Sequence, residues 1–175
     1  KYILKTISTS GDEKYKDINS IIKLIDWSKD KDEAEDILSN PDIKLVTMTI
    51  TESGYYINEK NKLNLNLELI KNNIQGKENN IIYSFLMAAL KKRMLSINKK
   101  ITLLCCDNIR ENGKMLQDCL KQYLSASKEY DLLEWIEENV SFPSCVVDRI
   151  TPRTPEFLKS DICLLYTSDA ADDLW

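Results

Sequence analysis

Histidine is absent from the 175 residues, and glycine occurs only four times. Without histidine the commonest zinc ligand is missing. The five cysteines (Cys105, Cys106, Cys119, Cys145 and Cys163) form no C-x-x-C pair, so no metal centre is expected and the thiols read as reduced, core-filling groups. No run approaches the roughly 18 consecutive apolar residues of a membrane span. Residues 1–10 lack the apolar segment and small-residue cleavage site of a secretory leader. The expectation is a soluble, cytoplasmic protein without a membrane partner. A basic stripe is missing too. Lys and Arg number 24 against 28 Asp and Glu, a net charge of -4, which argues against nucleic acid because phosphate binding needs positive charge. The basic cluster Lys91, Lys92, Arg93, Lys99 and Lys100 reads as the solvated end of a helix. Scarce glycine has its own consequence: nucleotide phosphates are ordinarily seated on a glycine-rich turn, and the chain shows none. It also opens on Lys1 rather than Met.

What is present is enough apolar residue, 43%, for one ordinary domain with a core. The chain is organised around ITLLCCDNIRENG (101–113). Residues 101–106 read as a buried strand that stops at Asp107 and Asn108, then turns through Asn112-Gly113 into a helix. Open α/β sheets bind ligands outside the carboxyl ends of their strands, so these two side chains stand where ligands bind. Asp and Asn also suit a plain strand cap and turn, and both readings stay open here. A second strand, 43–50, ends at Thr51 and Glu52, although Thr is a good strand former and Glu52 suits a solvated turn. A third short strand, Cys145, Val146 and Val147, runs into Asp148-Arg149. Charges in that position pair with each other or with a ligand. Parallel alignment would gather the three tips into one polar crevice.

Around these strands the periodicity predicts a strand over 2–8 closed by a turn at Ser10-Gly11. A helix follows over 17–27 with Ile18, Ile21, Ile22 and Ile25 inward, then a short helix over 31–39 with Ala34, Ile37 and Leu38 inward. Asn40-Pro41 stops it. Residues 58–80 read as a surface excursion. The clearest helix, 80–98, turns Ile82, Phe85, Leu86, Ala89, Leu90 and Met94 to one side. Helices over 115–125, with Met115, Cys119, Leu120 and Tyr123 inward, and over 130–140, with Leu132, Trp135 and Ile136 inward, complete the pattern.

Four segments in this order, VTMTITESGYY (46–56), CCDNIRENG (105–113), WIEENVSFP (135–143) and VVDRITPRT (147–154), resemble the mannitol dehydrogenase family. These are long-chain, metal-independent polyol dehydrogenases that include mannitol 2-dehydrogenase, fructuronate reductase and arabinitol dehydrogenase. The resemblance runs from about residue 2 to about residue 161. It implies an α/β fold: a Rossmann-type NAD(P)-binding domain lacking its first strand and glycine-rich loop, plus the start of a helical catalytic domain. Residues 1–150 would be the later part of the cofactor domain and 151–162 the start of the catalytic one. It also implies hydride transfer between NAD, or NADP, and a polyol or its keto form. Carried over residue by residue, Asn108 matches an asparagine that holds the reacting oxygen, and Asp148 an aspartate beside nicotinamide and substrate. Thr51, Glu52, Asp107 and Val147 border the cofactor. Many members have Ser-Cys-Asp-Asn where this chain has Cys105-Cys106-Asp107-Asn108, a small change in volume. The family's glycine-rich loop would precede Lys1, and its catalytic lysine would follow the last residue, so the chain by itself is expected to be inactive. Residues 163–175, CLLYTSDAADDLW, have no counterpart in the resemblance; 163–173 read as a translated sequencing adapter. The competing expectation is a non-catalytic nucleotide-binding or regulatory domain, in which Asp107, Asn108 and Asp148 only satisfy backbone groups.

Overall fold

The computed structural model describes residues 2–147. Its centre is a three-stranded sheet, order β3-β4-β5, made of β3 (Leu45–Met48), β4 (Ile101–Cys105) and β5 (Val140–Ser141). Both pairings are parallel, with Leu45 opposite Thr102, Met48 opposite Cys105 and Ile101 opposite Val140. Parallel neighbours require long crossovers, and helices supply them. Ahead of the sheet lies α1 (Lys31–Asp36), with Ala34 and then Leu38 buried as expected but Ile37 42% exposed. Between β3 and β4 run α2 (Glu68–Ile74) and α3 (Ile82–Ser96); between β4 and β5 run α4 (Asn112–Ala126) and α5 (Tyr130–Asn139). Ile101, Leu103 and Cys105 of β4 are buried, with Thr102 and Leu104 between them half-buried. The central strand is thus where the apolar run placed it, while the strand expected over 43–50 is confined to Leu45–Met48.

α3 forms because its sequence, IYSFLMAALKKRMLS, has no Gly or Pro and is rich in strong helix formers. Ser84 closes its first turn: the hydroxyl accepts from Ile81 N at 3.3 Å and donates to Ile81 O at 2.8 Å. Leu86, Ala89 and Leu90 are buried as the spacing predicts, but Tyr83 and Arg93 join them while Ile82, Phe85 and Met94 are only half-buried. The buried face is turned by about one residue. Tyr83 stacks on Tyr123 of α4, centroids 5.8 Å apart, and Cys119, Leu120 and Tyr123 lie inward as expected.

Four expectations need correction. Residues 17–27 are not a helix. Glu13–Ile18 is a strand, β2, paired antiparallel with β1 (Tyr2–Ile7) from Tyr2↔Ile18 to Ile7↔Glu13. The turn at Ser10-Gly11, with Gly11 at φ +87°, reverses the chain after β1, and local pairing wins over the isoleucine spacing. Ile22 is 96% exposed. The excursion over 58–80 holds α2, whose Ile70 and Asn73 are buried, and an isolated bridge between Ile57 and Leu63. Arg93 does not share the solvated face of its basic neighbours; it is fully buried. Finally, residues 145–147 are neither strand nor buried, with Val146 86% and Val147 49% exposed. That segment is bonded to a side chain instead: Cys145 N donates to Asn112 Oδ1 at 3.0 Å, and Asn112 Nδ2 donates back to Cys145 O at 2.9 Å. The approach is close enough to demand glycine next door, since a Cβ on Gly113 would stand 2.5 Å from the Phe142 carbonyl oxygen.

Candidate functional site

The site is built where β3 and β4 end. Past Cys105 the pairing continues for one more bond, Cys106 N donating to Met48 O at 2.7 Å. The chain then bends, and Asp107 turns its side chain inward, 5% exposed. Its Oδ1 accepts from Thr51 N at 2.8 Å and Ile50 N at 3.0 Å. Its Oδ2 accepts from Ile50 N, Tyr55 Oη and Cys105 Sγ, each at 2.9 Å. One carboxylate therefore fastens the end of β4 to the end of β3. Tyr55 is fully buried, with Oη 2.5 Å from Cys105 Sγ, and Tyr83 Oη on α3 donates to Tyr55 O at 3.0 Å.

Above this anchor the β3 tip is drawn into an unusual shape. Thr51 has φ 66° and ψ 158°, a conformation that essentially only glycine adopts freely, so holding a β-branched residue there costs about 1–3 kcal/mol. Glu52–Tyr55 then makes one tight helical turn. Thr51 and Glu52 both stand exposed. Asn108 is exposed as well. Beneath it, Asn112 Nδ2 donates to Asp107 O at 2.9 Å, tying the bend to the first turn of α4. A cavity of about 350 Å³ opens beside the β3 tip, lined by Met48, Ile50, Gly54 and Tyr56, by Asn80 just ahead of α3 and by Ile82 at its start.

The electrostatics follow from burial. Burial pushes the Cys105 thiol up to about 11 and the Tyr55 phenol higher still, so both remain protonated donors. For Asp107, burial alone would raise the carboxyl, yet the hydrogen bonds from Cys105, the Ile50 and Thr51 amides and Tyr55 together outweigh it. The carboxyl is held below its usual range, as a carboxylate fed by several donors should be. The group has its pKa depressed on folding, so its stabilisation is present above the unfolded value near 3.9 and is lost as pH falls through the lower folded value. The stability gap between wild type and Asp107→Asn, measured by urea melts, is expected to be widest above about pH 4 and to close steadily below it. A gap independent of pH would show that the carboxylate is not the species held.

The two tips of β3 and β4 are thus brought together, as parallel alignment required. Asp107 turns away from solvent, and the plain cap-and-turn reading describes its bonds. Asn108, Thr51 and Glu52 face outward. Val147 is half-exposed in an irregular segment, and Asp148 lies outside the described residues. Sequence reasoning missed Tyr55, Cys105 and Asn112 as the parts that shape the tips. Asn112 was legible only as a turn residue, and nothing in a buried Tyr or Cys announces a partner fifty residues away. Among the described residues no group of three Cys, Asp or Glu side chains is placed to hold a metal ion, and no helix is long and apolar enough to cross a membrane.

A parallel sheet with helical crossovers, carrying its outward polar groups at the carboxyl ends of adjacent strands, is the build of an α/β nucleotide-binding domain. Residues 1–172 match the family model described as the mannitol dehydrogenase Rossmann domain, and the chain belongs to that family. It is 35% identical over 153 residues to D-arabinitol 4-dehydrogenase of Klebsiella pneumoniae, covering 87% of this chain and 33% of that protein. To a polyol:NADP oxidoreductase of Gluconobacter oxydans it is 38% identical over 117 residues, 66% of this chain and 24% of the other. Among solved structures, the ternary complex of Pseudomonas fluorescens mannitol 2-dehydrogenase with NAD and D-mannitol superposes with a TM-score of 0.73 at 28% identity, over 91% of this chain and 32% of that one. The chain spans about a third or less of the length of these relatives.

Proposed function

We propose that this chain is the cofactor-side part of a longer NAD-dependent dehydrogenase that moves a hydride between a polyol or sugar acid and its keto form, with NADP as the alternative cofactor. The observation that carries the proposal is Asn108: an exposed amide with no side-chain hydrogen bond among the described residues, at the carboxyl end of the central strand. Family membership favours catalysis over a purely regulatory nucleotide-binding domain. The residues present suit the nicotinamide side of a dinucleotide, since Thr51, Glu52 and Asn108 offer exposed polar groups at the carboxyl ends of adjacent parallel strands. None of the four glycines forms the phosphate-cradling turn. When bound, NAD would supply the hydride acceptor. In this reading Asn108 Nδ2 donates to the reacting oxygen as charge gathers on it, and Thr51, Glu52, Asp107 and Val147 border the cofactor, Asp107 from behind. Asp148 stands beside the substrate, and a lysine outside this chain takes the alcohol proton. The protein would work in the cytoplasm on a small-molecule substrate, without nucleic acid.

The test is to read the source DNA outward from both ends of this sequence, express the longer product and follow NADH and NADPH oxidation with fructose, fructuronate and xylulose. Turnover with one of these is the expected result, and the 175-residue chain alone should show none. A longer product that binds NADH but turns over none of them would favour the regulatory domain.

A further inference from the structure

We propose that Asp107 is a positioning residue for the candidate site: its buried carboxylate locks the β3 tip to the β4 tip, and holds Thr51 in its strained conformation, so that Thr51, Glu52 and Asn108 keep one fixed arrangement. The inference rests on the dehydrogenase reading above, and it gives Asp107 a role other than direct contact with the cofactor. Three observations carry it. First, both carboxylate oxygens are already engaged by Ile50 N, Thr51 N, Tyr55 Oη and Cys105 Sγ. With 5% exposure the side chain has no free face for a ligand. Second, the bond from Thr51 N ends on the residue whose φ is 66°, and strain of this kind persists only where surrounding contacts over-determine it. Third, the main chain of Asp107 is held as well, its carbonyl accepting from Asn112 Nδ2, so that Asn108, the next residue, follows a residue fixed by both its side chain and its carbonyl.

The geometry distinguishes a clamp from a ligand through the conservative substitution. In Asp107→Asn the remaining oxygen can still accept from the Ile50 and Thr51 amides, while the new amide can donate to Tyr55. The two backbone bonds of the clamp survive that change, although Cys105 Sγ loses its acceptor and stability falls as described above; a carboxylate that works by its charge on cofactor or substrate does not survive it. In the longer protein carrying this chain, Asp107→Ala is expected to lower kcat/KM by about 10- to 100-fold, chiefly through kcat, because the reacting groups lose registry. Asp107→Asn should stay within about fivefold of wild type. Equal damage in both variants would overturn the clamp in favour of a direct electrostatic role. Unchanged kcat and KM in Asp107→Ala with only a lower Tm would reduce Asp107 to a structural residue.

Should Asp107→Ala not fold, Thr51→Gly reads the same device, since glycine accepts φ 66° without strain and frees the corner. A higher Tm with a severalfold lower kcat/KM is expected, and no change in either would overturn the proposal. Failure of the underlying function is read separately. If the longer wild-type protein lacks all NAD(P)H-linked turnover, the dehydrogenase reading falls. Hydrogen exchange at the Ile50 and Thr51 amides of the present chain still tests the clamp, with slow exchange expected in wild type and Asp107→Asn. Fast exchange in wild type would overturn it.

Discussion

In the longer protein, if it is the dehydrogenase proposed above, Asn108→Ala is expected to lower kcat by about two orders of magnitude, close to 2.7 kcal/mol of transition-state stabilisation, while leaving Tm unchanged. The separation of the two effects is the useful part. Asn108 is exposed and its side chain has no hydrogen-bond partner among the described residues, so truncating it removes nothing the fold depends on. Its neighbours keep the backbone in place, Asp107 by its side chain and Asn112 by its bond to the Asp107 carbonyl. The loss therefore reports on chemistry. Asn108→Asp should do at least as badly, because a carboxylate cannot donate to a developing alkoxide and repels it. Steady-state kinetics beside a calorimetric melt settle the matter. Intact turnover with a lowered Tm would return Asn108 to the role of a strand cap.

Arg93→Met is expected to cost about 1–3 kcal/mol of stability for each buried carbonyl left without a donor, a large share of the roughly 5–15 kcal/mol typical of a domain, and to be read as a lower urea midpoint. The guanidinium is fully buried and ends on four main-chain carbonyls. Nε donates to Lys99 O at 2.7 Å and Nη2 to Lys100 O at 2.9 Å, just before β4. Nη1 donates to Leu38 O at 2.5 Å and Asn40 O at 3.3 Å, on the approach to β3. Burial pulls the guanidinium pKa downward, but arginine stays charged in proteins and the carbonyl dipoles take the place of a carboxylate. Methionine fills the volume and leaves those carbonyls without donors. Arg93→Lys should recover only part of the loss, since an ammonium lacks the planar fork. Equal stability of Arg93→Met and wild type would show that the carbonyls find other partners.

These two residues have related places in the fold. Arg93 holds β3 beside β4 at their amino ends, and Asp107 holds them at their carboxyl ends. The second clamp lies beneath the outward polar groups, so the sheet register and the shape of the candidate site are fixed by the same contacts.

The sequence by itself determined what depends on near neighbours. The run ITLLC is legible as β4 because it is apolar but for Thr102, itself a good strand former, and because polar residues stop it at Asp107. Leu86, Ala89 and Leu90, and likewise Cys119, Leu120 and Tyr123, are legible as buried because helical spacing puts them on one side. The four segments 46–56, 105–113, 135–143 and 147–154, taken together and in order, were enough to point to the family that the family model matches. Tertiary structure alone decided the rest. Residues 13–18 are a strand because a turn brings them opposite β1, a matter of pairing that isoleucine spacing does not register. Arg93 is buried because carbonyls arrive from Leu38 and Asn40, more than fifty residues away, and Asp107 turns inward because the Ile50 and Thr51 amides come to meet it across the sheet. A periodic pattern records each residue's own polarity. Whether a charge goes inside depends on partners the chain supplies only once it has folded, since burial without them would cost more than the fold can bear.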